Sequence, residues 1–176
     1  LVDEDVNAET FPFMACGAVT VKGVAGRLFR ISFSGEHAYE IAVPARYGEA
    51  LFRLLTARAE EMGYTPMVGS EIEFYLFDDS YRQAHEKGFK SLTPHSPWMQ
   101  DYQIVQTTFD EYVIGDIRRN LEGAGIPVEC SKGEAGRGQH EVNLRYAEAV
   151  EMADRNLIYK SAAKEIAASH GRSVSF

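Results

Sequence analysis

Hydrophobic and polar residues alternate in the stretch GSEIEFYLF, and this alternation predicts a β-strand over residues 71–77. Ile72, Phe74 and Leu76 fall on one face of such a strand, because side chains of a strand point alternately to its two faces. Glu71 and Glu73 fall on the other face, roughly 7 Å apart at the rise of an extended chain. At that separation the two carboxylates are suited to two adjacent ions rather than to one.

The same alternation closes the stretch PVECSKGEAGRGQHEVNLRY, residues 127–146. There Glu141, Asn143 and Arg145 alternate with apolar residues, so a second strand has one polar and one apolar face. Glu129 and Glu134 come earlier in the stretch, around a glycine-rich segment that allows tight turns and close approach of a ligand. Carboxylates on an inward strand face need a hard cation such as Mg²⁺ to offset their charge. Together with the first strand, they predict an oxygen-rich site for two metal ions.

The remaining pattern predicts short strands first and helices later. Three β-type runs at 18–22, 27–33 and 38–43 are separated by glycine-containing turns, and a helix follows between Pro44 and Gly63. A short helix at 81–88, a strand at 102–108, a helix at 111–122 and a final strand at 173–176 complete the prediction. The longest helix is predicted over 147–169, with these residues facing inward: Val150, Ala153, Leu157, Ile158, Ala162 and Ile166.

Composition excludes several classes of protein. The chain has 176 residues, 45% of them apolar, which is enough to bury a core. Its net charge of −8, with no basic run longer than two residues, argues against nucleic-acid binding. The chain contains no apolar run long enough to span a membrane and shows no secretory signal. Cys16 and Cys130 stand alone, without metal-type spacing, so we expect a reduced cytoplasmic protein.

The stretches GSEIEFYLF and GIPVECSKGEAGRGQHEVNLRY, followed by AEAVEMADRNLIYKSAAKEIAASHGRSVSF, resemble the catalytic core of glutamine synthetase. The resemblance covers about residues 63–176. It implies ATP, Mg²⁺ or Mn²⁺, and amidation of the glutamate γ-carboxylate by ammonia or an amine. It also implies that Glu71 and Glu73 serve one metal each, that Glu129 lies near the nucleotide, and that Glu134 and Glu141 complete one metal site.

The stretch RISFSGEHAYEIAVPARYGEALFRLL resembles a second family, the folate-binding aminomethyltransferases and the sarcosine oxidase α subunit. This resemblance covers about residues 2–55. By that likeness Glu40 would contact the pterin of the folate, but an exposed strand carboxylate is the alternative. The catalytic aspartate of that family lies upstream of the matching motif, so tetrahydrofolate chemistry is not expected.

The two resemblances predict two domains, 1–62 and 63–176, fused through one helix without a flexible linker. The fold class is predicted as α+β. Short antiparallel strands and a helix form a ferredoxin-like fragment, which is joined to part of a glutamine synthetase-like core of sheet and helices. Open strand edges favour association, so we expect a homo-oligomer.

No catalytic residue is assigned from the sequence, and two functions stay open. Glutamine synthetases draw further metal ligands and phosphate-binding arginines from segments beyond the match, so weak or absent activity is expected of this chain alone. The alternative is a non-catalytic ligand-binding or interaction module, with folate or a metal as its ligand. Arg137 is expected to bring positive charge to the acidic cluster, and His140 to be a hydrogen-bonded structural histidine.

Overall fold

The structure is a computed structural model and describes residues 1–32 and 35–176. It divides into two compact units, Leu1–Pro66 and Met67–Phe176. The domain boundary expected from the sequence, between residues 62 and 63, stays a prediction.

The first unit is a small antiparallel sheet followed by one helix. Its strands are β1 (Cys16–Val21), β2 (Val24–Phe29) and β3 (Glu40–Ala42), paired in the order β1-β2-β3. A 3₁₀ turn (Ala45–Tyr47) then leads into α1 (Gly48–Glu61). The core of the unit is formed by Val19, Val21 and Leu28, against which Leu51 and Leu54 of α1 pack. The strand predicted over 27–33 ends early, at Phe29; positions 33 and 34 lie outside the described residues.

The second unit is built on a four-stranded antiparallel sheet. Its strands are β5 (Glu73–Phe77), β6 (Val128–Gly133), β7 (Gln139–Leu144) and β9 (Ser173–Ser175), in the order β6-β7-β5-β9. A separate two-stranded ribbon pairs β4 (Met67–Val68) with β8 (Ala147–Glu148). The predicted α+β class is confirmed.

Four helices accompany this sheet. They are α2 (Tyr81–Glu86), α3 (Ile104–Thr108), α4 (Glu111–Gly123) and α5 (Ala149–Ser169). One face of the sheet packs on α4 and α5 and forms the main core, to which Phe74, Leu76, Val142 and Leu144 contribute. The predicted inward face of α4 is buried, with these members: Val113, Ile114, Ile117 and Leu121. Since one sheet face is used for the core, the other is available for polar groups.

The strand predicted over 102–108 is wrong, because this segment forms helix α3. The sequence Ile-Val-Gln-Thr-Thr is rich in β-branched residues, which favour strands when neighbouring strands supply a surface. Here Tyr102 takes a positive φ of 53°, which interrupts an extended chain just before the helix. The hydroxyls of Thr107 and Thr108 then donate to the carbonyl of Ile104 and support the helical turn locally.

The predicted inward face of α5 is wrong for its first half. Val150, Leu157 and Ile158 are exposed, at 67%, 68% and 50% of their surface. The buried positions are Met152, Tyr159, Ala163 and Ala167. Apolar residues lie on more than one face of this helix, so its periodicity alone did not identify the packed side. The two alanines let the helix approach the sheet closely, which bulkier residues at those positions would prevent.

Both cysteines are free and exposed in this structure. Within residues 1–32 and 35–176, every helix is too short or too polar to cross a bilayer. The cytoplasmic location expected from the sequence stays a prediction.

Replacing Leu76 by Ala should destabilise the second unit by about 2–5 kcal/mol, because Leu76 is fully buried in the core. The matched control is Leu157→Ala, which removes the same atoms from an exposed site and should change stability by about 0.5 kcal/mol or less. Urea denaturation followed by fluorescence of Trp98, the single tryptophan, measures both. Equal losses in the two variants would contradict the orientation of α5.

Candidate metal centre

Three charged side chains form a row across neighbouring strands on the face of the sheet opposite the core. Glu73 of β5 lies directly opposite Glu141 of β7, and Glu141 lies directly opposite Lys132 of β6. Directly opposed residues share a face of the sheet, with their Cβ atoms about 5 Å apart. Two like charges at that separation destabilise a sheet, so the lysine on the far side of Glu141 offsets an unfavourable pair.

Glu134 joins this row from the turn that connects β6 and β7. The backbone N–H of Glu134 donates to the carbonyl of Gln139 at 2.9 Å and closes the turn. Gly138 has a positive φ of 71°, and a Cβ there would lie 2.7 Å from the carbonyl oxygen of Leu76. The turn therefore requires glycine at this position, and this requirement fixes where Glu134 is held relative to the strands.

Gln139 connects the turn to the acidic row. Its Oε1 accepts a hydrogen bond from the N–H of Gly136 at 2.8 Å, and its Nε2 donates to Glu73 Oε2. A Cβ on Gly136 would lie 2.6 Å from that same Oε1. The side chain of Gln139 thus holds Glu73 in place, a role that the sequence pattern did not indicate.

The three carboxylates Glu73, Glu134 and Glu141 each offer an oxygen, and these oxygens lie within 4.8 Å of one another. Glu141 is almost completely buried, and its Oε1 has no hydrogen-bond partner among the described residues. Glu134 Oε1 is buried and lacks a hydrogen-bond partner there as well, with the ammonium of Lys132 4.0 Å away. Unpaired buried carboxylate oxygens are costly, and a hard divalent cation such as Mg²⁺ or Mn²⁺ satisfies them. The donor set therefore fits a metal ion.

The negative charges of the cluster lie close together and shift the pKa values of its carboxyl groups. Burial, a hydrogen bond to Glu141 and repulsion from Glu141 and Glu73 raise the pKa of Glu134 to about 7. Burial also acts to raise the pKa of Glu141, but hydrogen bonds from Lys132, Glu134 and Asn143 outweigh it and lower that pKa. Without a metal ion, Glu134 thus tends to hold a proton while Glu141 stays ionised.

Glu71 and Glu129 lie apart from this cluster and line a neighbouring cavity of about 440 Å³. Asn143 and Tyr146 line it as well. Glu71 precedes the first residue of β5, so it does not continue the row that Glu73 begins. Glu129 is the extra residue of a β-bulge, since Val128 pairs with Leu144 and Cys130 with Asn143. The structure brings three of the four predicted metal ligands together and places Glu71 beside Glu129.

The other residues singled out in the sequence lie elsewhere. Glu40 is exposed at the start of β3, opposite Phe29 in the first unit. Arg137 is exposed on the turn, and no ion pair joins it to the acidic cluster in the described part of the chain. The positive charge at the cluster belongs to Lys132, which the sequence pattern did not identify. Lys132 shares a strand face with Cys130, and only the register of β6 against β7 places it opposite Glu141.

His140 lies on the core face of β7, immediately behind the acidic row. It is buried, and its Nε2 lies 2.8 Å from Asp110 Oδ2, as expected of a hydrogen-bonded structural histidine. Gln100 Nε2 donates to the same Oδ2, and His95 Nε2 lies 3.2 Å from Asp110 Oδ1. Asp110 thus ties the segment before α4 to the strand that carries Glu141.

The fold and this cluster define a class of protein: an α+β domain whose antiparallel sheet gathers carboxylates on the face opposite its core. The family model for the glutamine synthetase catalytic domain matches residues 50–176. A second model, for the GCVT N-terminal domain, matches residues 1–96. The chain belongs to the glutamine synthetase catalytic-domain family, and its first part also belongs to the GCVT N-terminal domain family.

Some relatives are similar to one part of the chain, and others are similar to the other part. The gamma-glutamylethanolamide synthetase of Streptomyces coelicolor is 43% identical over 114 residues, which cover 65% of this chain and 25% of that protein. The glutamate–isopropylamine ligase of a Pseudomonas species is 32% identical, covering 72% of this chain and 28% of that protein. The sarcosine oxidase α subunit of Rhizobium meliloti is 50% identical over 68 residues, covering 38% of this chain and 7% of that protein. The chain spans about a quarter of the ligases that it matches.

Solved structures share the fold. One titled "Apo GmaS without ligand" superposes with a TM-score of 0.56 at 20% identity, covering 94% of this chain and 39% of that one. Another, titled "GmaS/ADP complex-Conformation 1", gives 0.52 at 21% identity, covering 80% and 32%. At this identity the likeness concerns the fold alone.

Replacing Asp110 by Asn should destabilise the second unit by about 1–3 kcal/mol at pH 7, because buried donors of His140 and Gln100 lose a charged acceptor. Burial acts to raise the pKa of Asp110, but these hydrogen bonds outweigh it and hold the pKa below its ordinary value. The stabilisation is therefore complete above the unfolded-state pKa of about 3.9 and is lost as the pH falls through the lower folded-state value.

The difference between wild type and Asp110→Asn should thus shrink as the pH falls below about 4. Urea denaturation followed by Trp98 fluorescence measures it. Asp154→Asn, an exposed position on α5, is the matched control and should behave as wild type. A gap that widens on acidification would show that Asp110 is not held ionised by its partners.

Proposed function

We propose that the chain carries the core of an ATP-dependent ligase site, which joins ammonia or an amine to the γ-carboxylate of glutamate. The observation that carries this proposal is the convergence of Glu73, Glu134 and Glu141 within 4.8 Å, with buried oxygens left unpartnered. Membership of the glutamine synthetase catalytic-domain family supports it. A solvated acidic face, the plainer interpretation of such carboxylates, does not explain why Glu141 is almost completely buried.

In this proposal the three carboxylates hold one Mg²⁺ or Mn²⁺ ion. When bound, such an ion stabilises the negative charge that develops as a phosphoryl group is transferred from ATP. Gln139 keeps Glu73 directed at the cluster, and the turn at Gly138 sets the position of Glu134. Glu71 and Glu129 lie in the adjacent cavity, which we assign to the nucleotide side of the site.

For the nitrogen donor we propose a small amine as well as ammonia. Two relatives carry names that specify an amine product or substrate: a gamma-glutamylethanolamide synthetase and a glutamate–isopropylamine ligase.

We further propose that the chain by itself turns over weakly or not at all. Phosphoryl transfer in a two-metal site needs two complete sets of ligands. Among the described residues, only Glu73, Glu134 and Glu141 converge as a set of three, while Glu71 has no such companions. The four-stranded sheet also ends at β6 and β9, whose outer edges support the expectation of a homo-oligomer.

Removing one ligand should weaken metal binding strongly. Glu141→Gln should lower the affinity for Mn²⁺ by at least about tenfold, since even changes outside the ligand shell cost about 10–100-fold. Isothermal calorimetry at pH 7.5 measures it, and Glu165→Gln, an exposed position on α5, is the control with unchanged affinity. Equal affinity in Glu141→Gln and wild type would exclude this cluster as the metal site.

A coupled phosphate-release assay with ATP, Mg²⁺, glutamate and methylamine should show little or no turnover by the pure chain. Calorimetry with Mn²⁺, ATP and tetrahydrofolate separates the remaining possibilities. Binding of metal and nucleotide supports the ligase core. Binding of tetrahydrofolate alone would instead favour a non-catalytic ligand-binding module, and rapid turnover would refute the expected weak activity.

A further inference from the structure

Lys132 extends into the acidic cluster. Its Nζ lies 2.8 Å from Glu141 Oε2 and 4.0 Å from Glu134 Oε1. Two of the three candidate metal ligands therefore face an ammonium group that is itself three-quarters buried. Because Lys132 lies opposite Glu141 in the register of β6 and β7, this approach is fixed by the sheet and not by a flexible loop.

The ammonium and a divalent ion compete for the same negative charge. A unit positive charge within a few ångströms of a divalent ion repels it strongly enough to lower its affinity by at least about tenfold, even in water-like surroundings. The ammonium also occupies Glu141 Oε2, one of the oxygens that an ion could use. Lys132 thus stabilises the cluster without metal and opposes metal binding at the same time.

The ring of Tyr102 is a second partner of the ammonium beside the cluster. Lys132 Nζ lies 5.6 Å from the centre of the Tyr102 ring, within the range of a cation–π contact. Tyr102 is 65% exposed, so a lysine that leans further toward this ring stays partly hydrated. The long, flexible lysine side chain can exchange between these partners without movement of the strand.

We propose that Lys132 is an internal competitor of the divalent ion: it neutralises Glu141 in the metal-free chain and shifts toward Tyr102 when an ion binds. This inference rests on the proposed metal site. It makes Lys132 a residue that sets metal affinity, so that the cluster stays folded when metal is scarce and loads only when the ion is abundant.

The test measures metal affinity and metal-free stability in the same variants. Lys132→Met keeps the length of the side chain and removes the charge. It should bind Mn²⁺ at least about tenfold more tightly than wild type by calorimetry. In the presence of a chelator the same variant should unfold at a lower temperature than wild type, because the carboxylates lose their counter-charge. A merely structural lysine would lower stability without tightening metal binding.

Three further variants make the test specific. Lys132→Arg keeps the positive charge and should bind Mn²⁺ no more tightly than wild type. Tyr102→Leu removes the aromatic partner of the ammonium and should weaken Mn²⁺ binding about twofold to fivefold. This variant keeps the proposal testable even if Lys132→Met does not fold. Lys90→Met, at an exposed position after α2, is the control for loss of a lysine and should change neither quantity.

Two outcomes overturn the proposal in distinguishable ways. If wild type binds Mn²⁺ and Lys132→Met binds it equally or more weakly, Lys132 is not a competitor, and the proposed metal site stands. If neither wild type nor any variant binds Mn²⁺, the metal site itself is refuted, and the role of Lys132 is refuted with it.

Discussion

Repulsion among three carboxylates is the constraint on which the site of the second unit depends. Glu73 and Glu141 are directly opposed across two strands, and Glu134 approaches them from the turn. Without the sheet, the three side chains would turn away from one another into solvent, because exposed carboxylates lose little stabilisation by moving apart. The strands prevent this, since their hydrogen-bonded register fixes where each Cβ points. What remains is a cluster of negative charge that the ammonium of Lys132 partly offsets and that raises the pKa of Glu134 to about 7.

The opposite face of the sheet supplies the rigidity that this arrangement requires. Phe74 and Val142 alternate with the acidic positions and are buried against α4 and α5, so burial of the apolar face determines the direction of the polar one. His140 adds a polar anchor on this core face through its contact with buried Asp110. A one-residue slip of β7 would expose the apolar set and bury Glu141 in the core, which the packing makes very unfavourable.

Much of this arrangement could be predicted from the sequence, because it follows from local periodicity. Alternation at residues 71–77 indicated the two faces of β5, and helical spacing indicated the buried face of α4. The failures came where periodicity was ambiguous or where tertiary contacts decide. Helix α5 carries apolar residues on more than one face, and its packed side is selected by small residues such as Ala163. The role of Lys132 depends on strand register, which no local pattern contains.

The two acidic residues of the motif Glu-x-Glu, Glu71 and Glu73, lie at the same end of β5 but in different surroundings. Had β5 begun at residue 71, both side chains would point from the same face into the same cluster. The strand begins at Glu73 instead, and Glu71 lines the cavity that the bulged Glu129 also lines. Asn143, two residues after Glu141 on β7, hydrogen-bonds Glu141 and lines that cavity too. A bulge on one strand and a late start on another therefore divide the carboxylates between the cluster and the adjacent cavity, which a uniform ladder of strands would have merged.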